Sequence, residues 1–263
     1  MKLSAAIMTF NEEKNLDRTL KALEDICDEI VIVDSGSTDR TKEIAEKYRA
    51  KFINQKWLGY GKQRNVAIDN CSGKWILAVD ADEELSPKLK EKIKEIIENS
   101  NESKKVYEIN RLSVCFGKKI KHGGWGTSYA VRLFLKGAGK FNDNTVHENF
   151  VTDEKVYQIK EDIYHHSYLT LEDYFSKFNR YTTEGALEYY KKGKKASVFQ
   201  IAFNPLYKFI RMYVIRLGFL DGVEGFLLAS TSSLYSMVKY FKLREIYRNG
   251  SYIDDKKGAK NGD

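Results

Sequence analysis

Asp80-Ala81-Asp82 closes an apolar run over residues 75–80 and sets two carboxylates one residue apart. Facing each other unpaired, such groups are costly to take out of water. A divalent cation removes that cost. Mg²⁺ or Mn²⁺ suits hard oxygen donors and usually takes one or two carboxylates together with substrate phosphates. The competing reading is a solvated turn in which Asp82 caps the next helix. Asp34-Ser35-Gly36-Ser37-Thr38-Asp39 offers a similar choice. It is either a capped strand-to-helix turn, or a carboxylate that holds a base or ribose edge while small residues let a ligand approach the backbone. Gly59-Tyr60-Gly61-Lys62-Gln63-Arg64-Asn65 has Arg where a dinucleotide fingerprint needs its third glycine, and no Walker loop is present. Val146-His147-Glu148 is not a zinc-protease signature, since position 151 is Val. Trp125, set among glycines, either stacks on a sugar ring or pins its loop. Arg132 either faces a phosphate or pairs with an acid. His165 and His166 read in isolation as satisfied, partly buried histidines.

The elements that must position these groups follow from hydrophobic spacing. Apolar runs at residues 3–8, 29–34, 51–53 and 75–80 have the length of buried parallel strands. Helical patterns lie between them. Leu16, Leu20 and Leu23 follow Asn11, a good N-cap; Ile44, Ala45 and Tyr48 follow the Ser37-Thr38-Asp39 turn; Leu89, Ile93, Ile96 and Ile97 follow Ser86 as N-cap and Pro87 at the first helical position. Strands alternating with helices predict right-handed crossovers and a largely parallel sheet. Ligands of such sheets bind beyond the carboxyl ends of the strands, where Thr9 to Glu12, Asp34 to Asp39 and Asp80 to Asp82 fall. Residues 107–111 and 130–134 read as antiparallel strands flanking the loop around His122-Gly123-Gly124-Trp125-Gly126. After His166 the pattern is helical over 171–190, 198–217 and 223–247, with breaks near Gly193, Pro205 and Gly218.

The chain has 263 residues, 42% apolar and 31% charged, with two prolines. That excludes a disordered or collagenous protein. Mean hydropathy is −0.51, and no run of eighteen apolar residues is free of charge, which excludes a polytopic membrane protein. The short apolar start before Asn11 lacks the features of a signal peptide, so a cytoplasmic protein is expected. Cys27, Cys71 and Cys115 are too scattered for a disulfide framework and read as buried thiols. The net charge of +7 is regional: residues 174–249 hold 13 Lys or Arg against five Asp or Glu. A basic nucleic-acid binder would use such charge, but no DNA- or RNA-binding motif accompanies it.

Taken in order, Thr9-Phe10-Asn11-Glu12, Val33 to Thr41, Gly61 to Asn65 and Asp80-Ala81-Asp82 resemble the family-2 glycosyltransferases, which have the GT-A nucleotide-sugar fold. Gly123-Gly124-Trp125, Arg132-Leu133-Phe134, Val146-His147-Glu148 and His166-Ser167-Tyr168 resemble more closely the lipopolysaccharide-core β-glucosyltransferase subgroup. The wider family often shows two adjacent acids where this chain has Asp34-Ser35. The resemblance implies an α/β fold: a mostly parallel Rossmann-like sheet flanked by helices, added antiparallel strands and a C-terminal helical extension. It implies an inverting, metal-dependent transfer of a hexose, glucose foremost, from a UDP-sugar to a hydroxyl of a lipid-linked glycan such as the lipopolysaccharide inner core.

Residue by residue, it implies that Thr9, Asn11, Glu12, Asp34, Ser35 and Gly36 line the nucleoside pocket, with Arg64 near the base or phosphates. Asp80 and Ala81 contact the donor, Asp80 at the ribose or metal. Asp82 and His166 hold Mg²⁺ or Mn²⁺. Trp125, Arg132 and His147 face the acceptor, and Glu148 is the base. A base is required because an acceptor hydroxyl must lose its proton as it attacks the anomeric carbon. The implied organisation is a catalytic domain over residues 1–165, a basic, aromatic helical extension over 166–248, and a tail over 249–263 expected to be disordered. The extension mixes Phe, Leu, Tyr and Ile with Lys208, Arg211, Arg216, Lys239, Lys242 and Arg244. That is the composition either of an interfacial helix at the inner face of the plasma membrane or of a helical subdomain packed on the sheet or on another protomer. A protein or other-glycan glycosyltransferase with the same core, and a catalytically silent sugar-nucleotide binder, share every one of these features.

Overall fold

The computed structural model describes residues 2–99, 103–143 and 149–249. The chain divides into two compact units, one of residues up to 113 together with 127–167, the other of 114–126 together with 168 onward. The tail expected beyond residue 249 lies outside the described residues.

In the first unit, β1 (Leu3–Thr9), α1 (Leu16–Leu23), β2 (Glu29–Asp34), α2 (Thr41–Lys47), β3 (Lys51–Asn54), α3 (Tyr60–Asp69) and β4 (Trp75–Asp80) alternate as expected. They are followed by β5 (Glu83–Leu85), α4 (Pro87–Glu98) and β6 (Val106–Cys115), whose last two residues belong to the second unit. β7 (Lys118–Lys119) lies in the second unit, and the chain returns to the first with β8 (Tyr129–Leu135), β9 (Lys140–Phe141), β10 (Phe150–Val151) and β11 (Val156–Tyr168). The sheet order is β3-β2-β1-β4-β8-β6-β11-β5. β1 is parallel to β2 and β4, and β2 to β3. β8 is antiparallel to β4 and β6, and β11 to β5. β9 and β10 form a separate hairpin.

The parallel half is apolar on both faces because helices cover both. Leu3, Ala5, Ile7, Ile32, Leu77 and Val79 pack with Leu16 and Leu20 of α1 and Leu89 and Ile93 of α4. The alternate residues Ala6, Val31, Val33, Ile76 and Ala78 pack with Ala67 and Ile68 of α3. This is the two-sided burial that turns strand sequences into continuous apolar runs. Ser86 Oγ accepts from the Leu89 amide at 3.2 Å, and Pro87 opens α4. Asn11, expected to cap the first helix, does not. It has φ of 55° and its Oδ1 accepts from the Thr38 amide at 2.8 Å, so α1 begins only at Leu16.

The second unit holds α5 (Leu171–Lys191), α6 (Val198–Ile210), a π-helical turn over Arg211–Ile215, a 3₁₀ turn over Gly218–Asp221 and α7 (Gly222–Asn249). Pro205, expected to break the second helix, lies inside α6. Proline withdraws the N–H that would bond the Ile201 carbonyl four residues earlier, yet α6 continues through it; Ser233 Oγ of α7 donates to the Pro205 carbonyl at 2.8 Å. Tyr174 OH of α5 donates to Thr231 Oγ1 of α7 at 2.6 Å, and Cys115, Ile120, Tyr174 and Leu228 form a small core. Among the described residues no helix is long and apolar enough to cross a membrane. Leu20 is fully buried between α1 and the sheet. Leu20→Ala is therefore expected to lower unfolding free energy by about 3 kcal/mol, the usual cost of such a cavity, read as a reduced denaturant midpoint with unchanged slope.

Candidate active site

β4 delivers Asp80 to the carboxyl edge of the sheet, and the turn into β5 places Glu83 beside it. Three arginines converge on this pair from separate elements. Arg64 Nη2 of α3 donates to Asp80 Oδ1 at 2.9 Å, and Arg132 Nη2 of β8 donates to Asp80 Oδ2 at 2.6 Å and to Glu83 Oε1 at 2.8 Å. Arg111 of β6 donates through Nε to Glu83 Oε1 and reaches Asp80 Oδ2 at 3.5 Å through Nη2. Glu83 Oε2 accepts from the Asp80 amide at 2.9 Å. Glu83, Arg64 and Arg132 are buried. Burial opposes the charge on Asp80, but Arg132, Arg64 and Arg111 outweigh it and hold the carboxyl well below its usual range. Burial likewise opposes the charge on Arg132, and Asp80 and Glu83 override it. Three guanidiniums against two carboxylates leave one positive charge in surplus beside the end of β4.

This arrangement changes two expected roles. Asp80 is enclosed by arginines rather than offered to a ribose or a metal. Arg132, placed by the resemblance at the acceptor, is buried between two acids, which bears out the other reading of this residue, an arginine paired with an acid. Arg64 is likewise committed to Asp80, and its guanidinium lies 4.9 Å from the centre of the Phe141 ring.

Asp82 lies outside that cluster. Its Oδ2 is 3.2 Å from His165 Nε2, with both side chains about a quarter exposed. His166, the expected partner, points elsewhere: its Nε2 is 2.8 Å from Glu84 Oε2. Strand alternation parts the two histidines, while Asp82, in the turn before β5, directs its side chain to His165. β11 pairs antiparallel with β5 so that His165 lies opposite Glu83 and Tyr164 opposite Glu84, and successive side chains leave opposite faces. The His166 amide donates to the Asp82 carbonyl at 2.9 Å, fixing this register. Burial would push the His165 imidazole down, but the hydrogen bond and charge of Asp82 raise it; burial lowers His166 despite Glu84. Among the described residues no group of three or more His, Cys, Asp or Glu is placed to hold a metal. Asp82 and His165 are the side chains that would hold a divalent cation here, the carboxylate oxygen being the donor type that suits Mg²⁺ or Mn²⁺ and the imidazole a second, softer one.

At the ends of β1 and β2 the expected nucleoside residues clasp one another. Asp34 Oδ1 accepts from Thr9 Oγ1 at 2.8 Å and Ser37 Oγ at 2.5 Å, and its Oδ2 accepts from the Gly36 and Ser37 amides at 2.9 and 2.7 Å. All the acceptor capacity of this buried carboxylate goes into shaping its own loop. Ser35 Oγ accepts from Gln63 Nε2 at 3.1 Å, and Gly36 takes φ of 97° with open space where a Cβ would point. The Asn11 amide donates to Ser37 Oγ, and the Glu12 amide to Thr41 Oγ1, both at 2.8 Å. The structure thus brings Thr9, Asn11, Glu12, Asp34, Ser35 and Gly36 together, with Asp34 as organiser of the loop. Ala81 is buried, its carbonyl accepting from Thr19 Oγ1 at 2.7 Å.

α3 has a second use. Asn65 Nδ2 donates to the Phe141 carbonyl at 2.8 Å, and the Phe141 amide donates to Asn65 Oδ1 at 3.0 Å. A Cβ on Gly61 would lie 1.8 Å from the Asn142 carbonyl oxygen. The Asn142 amide in turn donates to the Asn149 carbonyl at 3.0 Å. Gly61 and Asn65, four residues apart and so on one helix face, hold the base of the β9–β10 hairpin. Val146, His147 and Glu148 lie outside the described residues. Trp125 belongs to the second unit, edge-on to Tyr168 at 6.1 Å and packed on the core around Cys115 and Tyr174, which favours its loop-pinning role. Sequence reasoning missed Glu83 and Arg111, and gave Gln63 and His165 no role in the site. The spacing of Gly61 and Asn65 was the one available signal for the hairpin contact.

Residues 4–148 match the family model for glycosyl transferase family 2. An uncharacterized glycosyltransferase of Rickettsia conorii is 33% identical over 254 residues, 93% of this chain and 90% of that protein. The lipopolysaccharide core biosynthesis glycosyltransferase LpsC of Rhizobium meliloti is 30% identical over 262 residues, covering 96% of each. Among solved structures, S. aureus TarS 1-349 in complex with UDP is 20% identical, with TM-score 0.45, covering 95% of this chain and 92% of that one. With its parallel sheet, antiparallel additions and C-terminal helices, this chain belongs to glycosyl transferase family 2 and has a GT-A type fold.

Proposed function

We propose that this glycosyltransferase moves a hexose, glucose foremost, from a UDP-sugar to a hydroxyl of a lipid-linked glycan of the lipopolysaccharide inner-core type, with inversion at the anomeric carbon. The near full-length likeness to LpsC supports the acceptor class. The observation that carries the reading is the pairing of Asp82 with His165 beside the arginine cluster. It gives a two-donor seat for Mg²⁺ or Mn²⁺ next to a surplus of positive charge at the sheet edge where diphosphates bind.

Bound there by Asp82 and His165, the cation supplies charge neutralisation to the departing diphosphate. The protein's own contributions are separate. Glu148 is proposed to take the proton of the acceptor hydroxyl as its oxygen bonds to the anomeric carbon, with His147 orienting it. The bond from that carbon to the diphosphate oxygen breaks with its electron pair going to UDP, and the net positive arginine cluster favours that developing charge. The Thr9–Asp34–Ser37 clasp shapes the loop against which the nucleoside packs.

The reading is tested by UDP release from UDP-glucose with Mn²⁺ and a lipid-linked inner-core acceptor. Chelation by EDTA is expected to abolish release and added Mn²⁺ to restore it, while Asp82→Ala lowers kcat by about 10²-fold or more, the scale of losing one charge-stabilising group. Release untouched by chelation would reject the cation seat. The two histidines should separate in a Mn²⁺ titration. His165→Ala should raise the half-saturating Mn²⁺ concentration by at least the tenfold or so that losing even an outer partner of a metal site costs, whereas His166→Ala should leave it as in the parent. Glu148→Gln is expected to lower kcat by about 10²–10⁴-fold, the range for a general base, with UDP-sugar binding by calorimetry unchanged; retained kcat would remove Glu148 from the mechanism.

A further inference from the structure

α6 is amphipathic in the reverse sense to a helix of a water-soluble protein. Ser197 and Gln200 form a complete capping box at its start, so the helix is firmly begun. The residues it turns to solvent are Val198, Phe199, Phe203, Leu206, Tyr207 and Ile210, spaced as one helical stripe, with Val198 71% and Phe199 65% exposed. No residue of α6 is buried. Its polar side chains face the protein instead: Asn204 Nδ2 donates to Tyr240 OH of α7 at 3.3 Å, and Lys208 lies 5.4 Å from the centre of the Tyr235 ring. The apolar stripe continues past α6 through Val214 and Ile215 to Leu220 and Val223 at 57% and 78% exposure. Such a contiguous apolar surface marks something that covers it.

The charges beside the stripe say what. Between Glu188 and Asp221 the sequence holds seven Lys or Arg and no Asp or Glu. Lys191, Lys192, Lys194 and Lys195 are exposed before α6, and Arg211 and Arg216 are exposed after it. Two copies pairing through this stripe, parallel or antiparallel, would bring cationic ends against cationic ends with no acid between them. An anionic bilayer supplies both an apolar interior for the stripe and phosphates for its flanks.

We infer that α6 and the turns that follow it form an in-plane anchor that lies in the headgroup boundary of an anionic membrane, its aromatic stripe inserted and its lysine and arginine ends on lipid phosphates. The anchor stands independently of the transfer reading, because lipid binding is measured without any sugar.

The full chain is sedimented with phosphatidylcholine vesicles, and with vesicles of phosphatidylcholine and phosphatidylglycerol. It is expected to pellet with the anionic vesicles and at least tenfold less with the neutral ones. The double variant Phe199→Asp, Phe203→Asp, at positions whose side chains face solvent, should bind anionic vesicles at least tenfold more weakly. Its light-scattering mass and thermal midpoint, and its UDP release with a water-soluble acceptor, should match the parent. Lys194→Glu with Lys195→Glu should weaken binding and flatten its salt dependence. The inference is overturned if the parent stays in the supernatant with anionic vesicles, which would point to a protein partner. It is also overturned if the Phe variant pellets as well as the parent, or if the parent is a dimer that the Phe variant converts to a monomer.

Discussion

A carboxylate at the mouth of a parallel sheet is tolerable only if its charge is answered, because water is largely excluded there and an unpaired ion in such a place costs several kcal/mol. Asp80 and Glu83 are answered by Arg64, Arg111 and Arg132, drawn from α3, β6 and β8. The pairing therefore joins the first half of the unit, built of crossovers, to the antiparallel strands added after it. Each arginine reaches the cluster only if its own element is in register. Breaking a buried pair by removing one partner typically costs about 3–5 kcal/mol, so the network penalises misplacement of any of these elements. Counted alone, the cluster carries one positive charge more than negative at the carboxyl edge of the sheet.

Much of the parallel half was legible because two-sided burial writes itself as short continuous apolar runs, and those runs at residues 3–8, 29–34 and 75–80 became β1, β2 and β4. β11 was not legible. Its thirteen residues carry Gln158, Lys160, Glu161, Asp162 and two histidines, so it has neither an apolar run nor a clean alternation. Residue type alone does not tell the two histidines apart; the register of β11 against β5 does, sending their side chains to opposite faces. Asn11 shows a related failure. Its residue type suits an N-cap, but the same short amide side chain also tolerates left-handed backbone, and the loop of Ser37 and Thr38 used it that way.

The second unit shows what composition can and cannot convey. The mixture of aromatic, aliphatic and basic residues over 198–217 was visible, but its direction was not, since a helical stripe can face either a core or solvent. Only the positions of Asn204 and Lys208 against α7 decide it. Burial would push the Lys208 ammonium down, and Lys239 nearby does the same.

α3 joins these threads at the donor end. Its hydrophobic pattern is weak, and the run from Gly61 to Asn65 contains no residue expected to do chemistry except Arg64. Yet each residue type is required by a different neighbour. Gly61 must lack a side chain because the Asn142 carbonyl lies where one would be. Gln63 reaches Ser35 on the loop after β2. Arg64 holds Asp80 on β4, and Asn65 exchanges two hydrogen bonds with Phe141 at the root of the hairpin. The loop after β2, the charge cluster and the root of the β9–β10 hairpin are thus fixed to one helix of under three turns. Side chains that must act together need a common frame to within a fraction of an ångström. A short helix that touches each of these parts supplies that frame more directly than loops anchored separately, and this accounts for a motif whose residues, by type, have little in common.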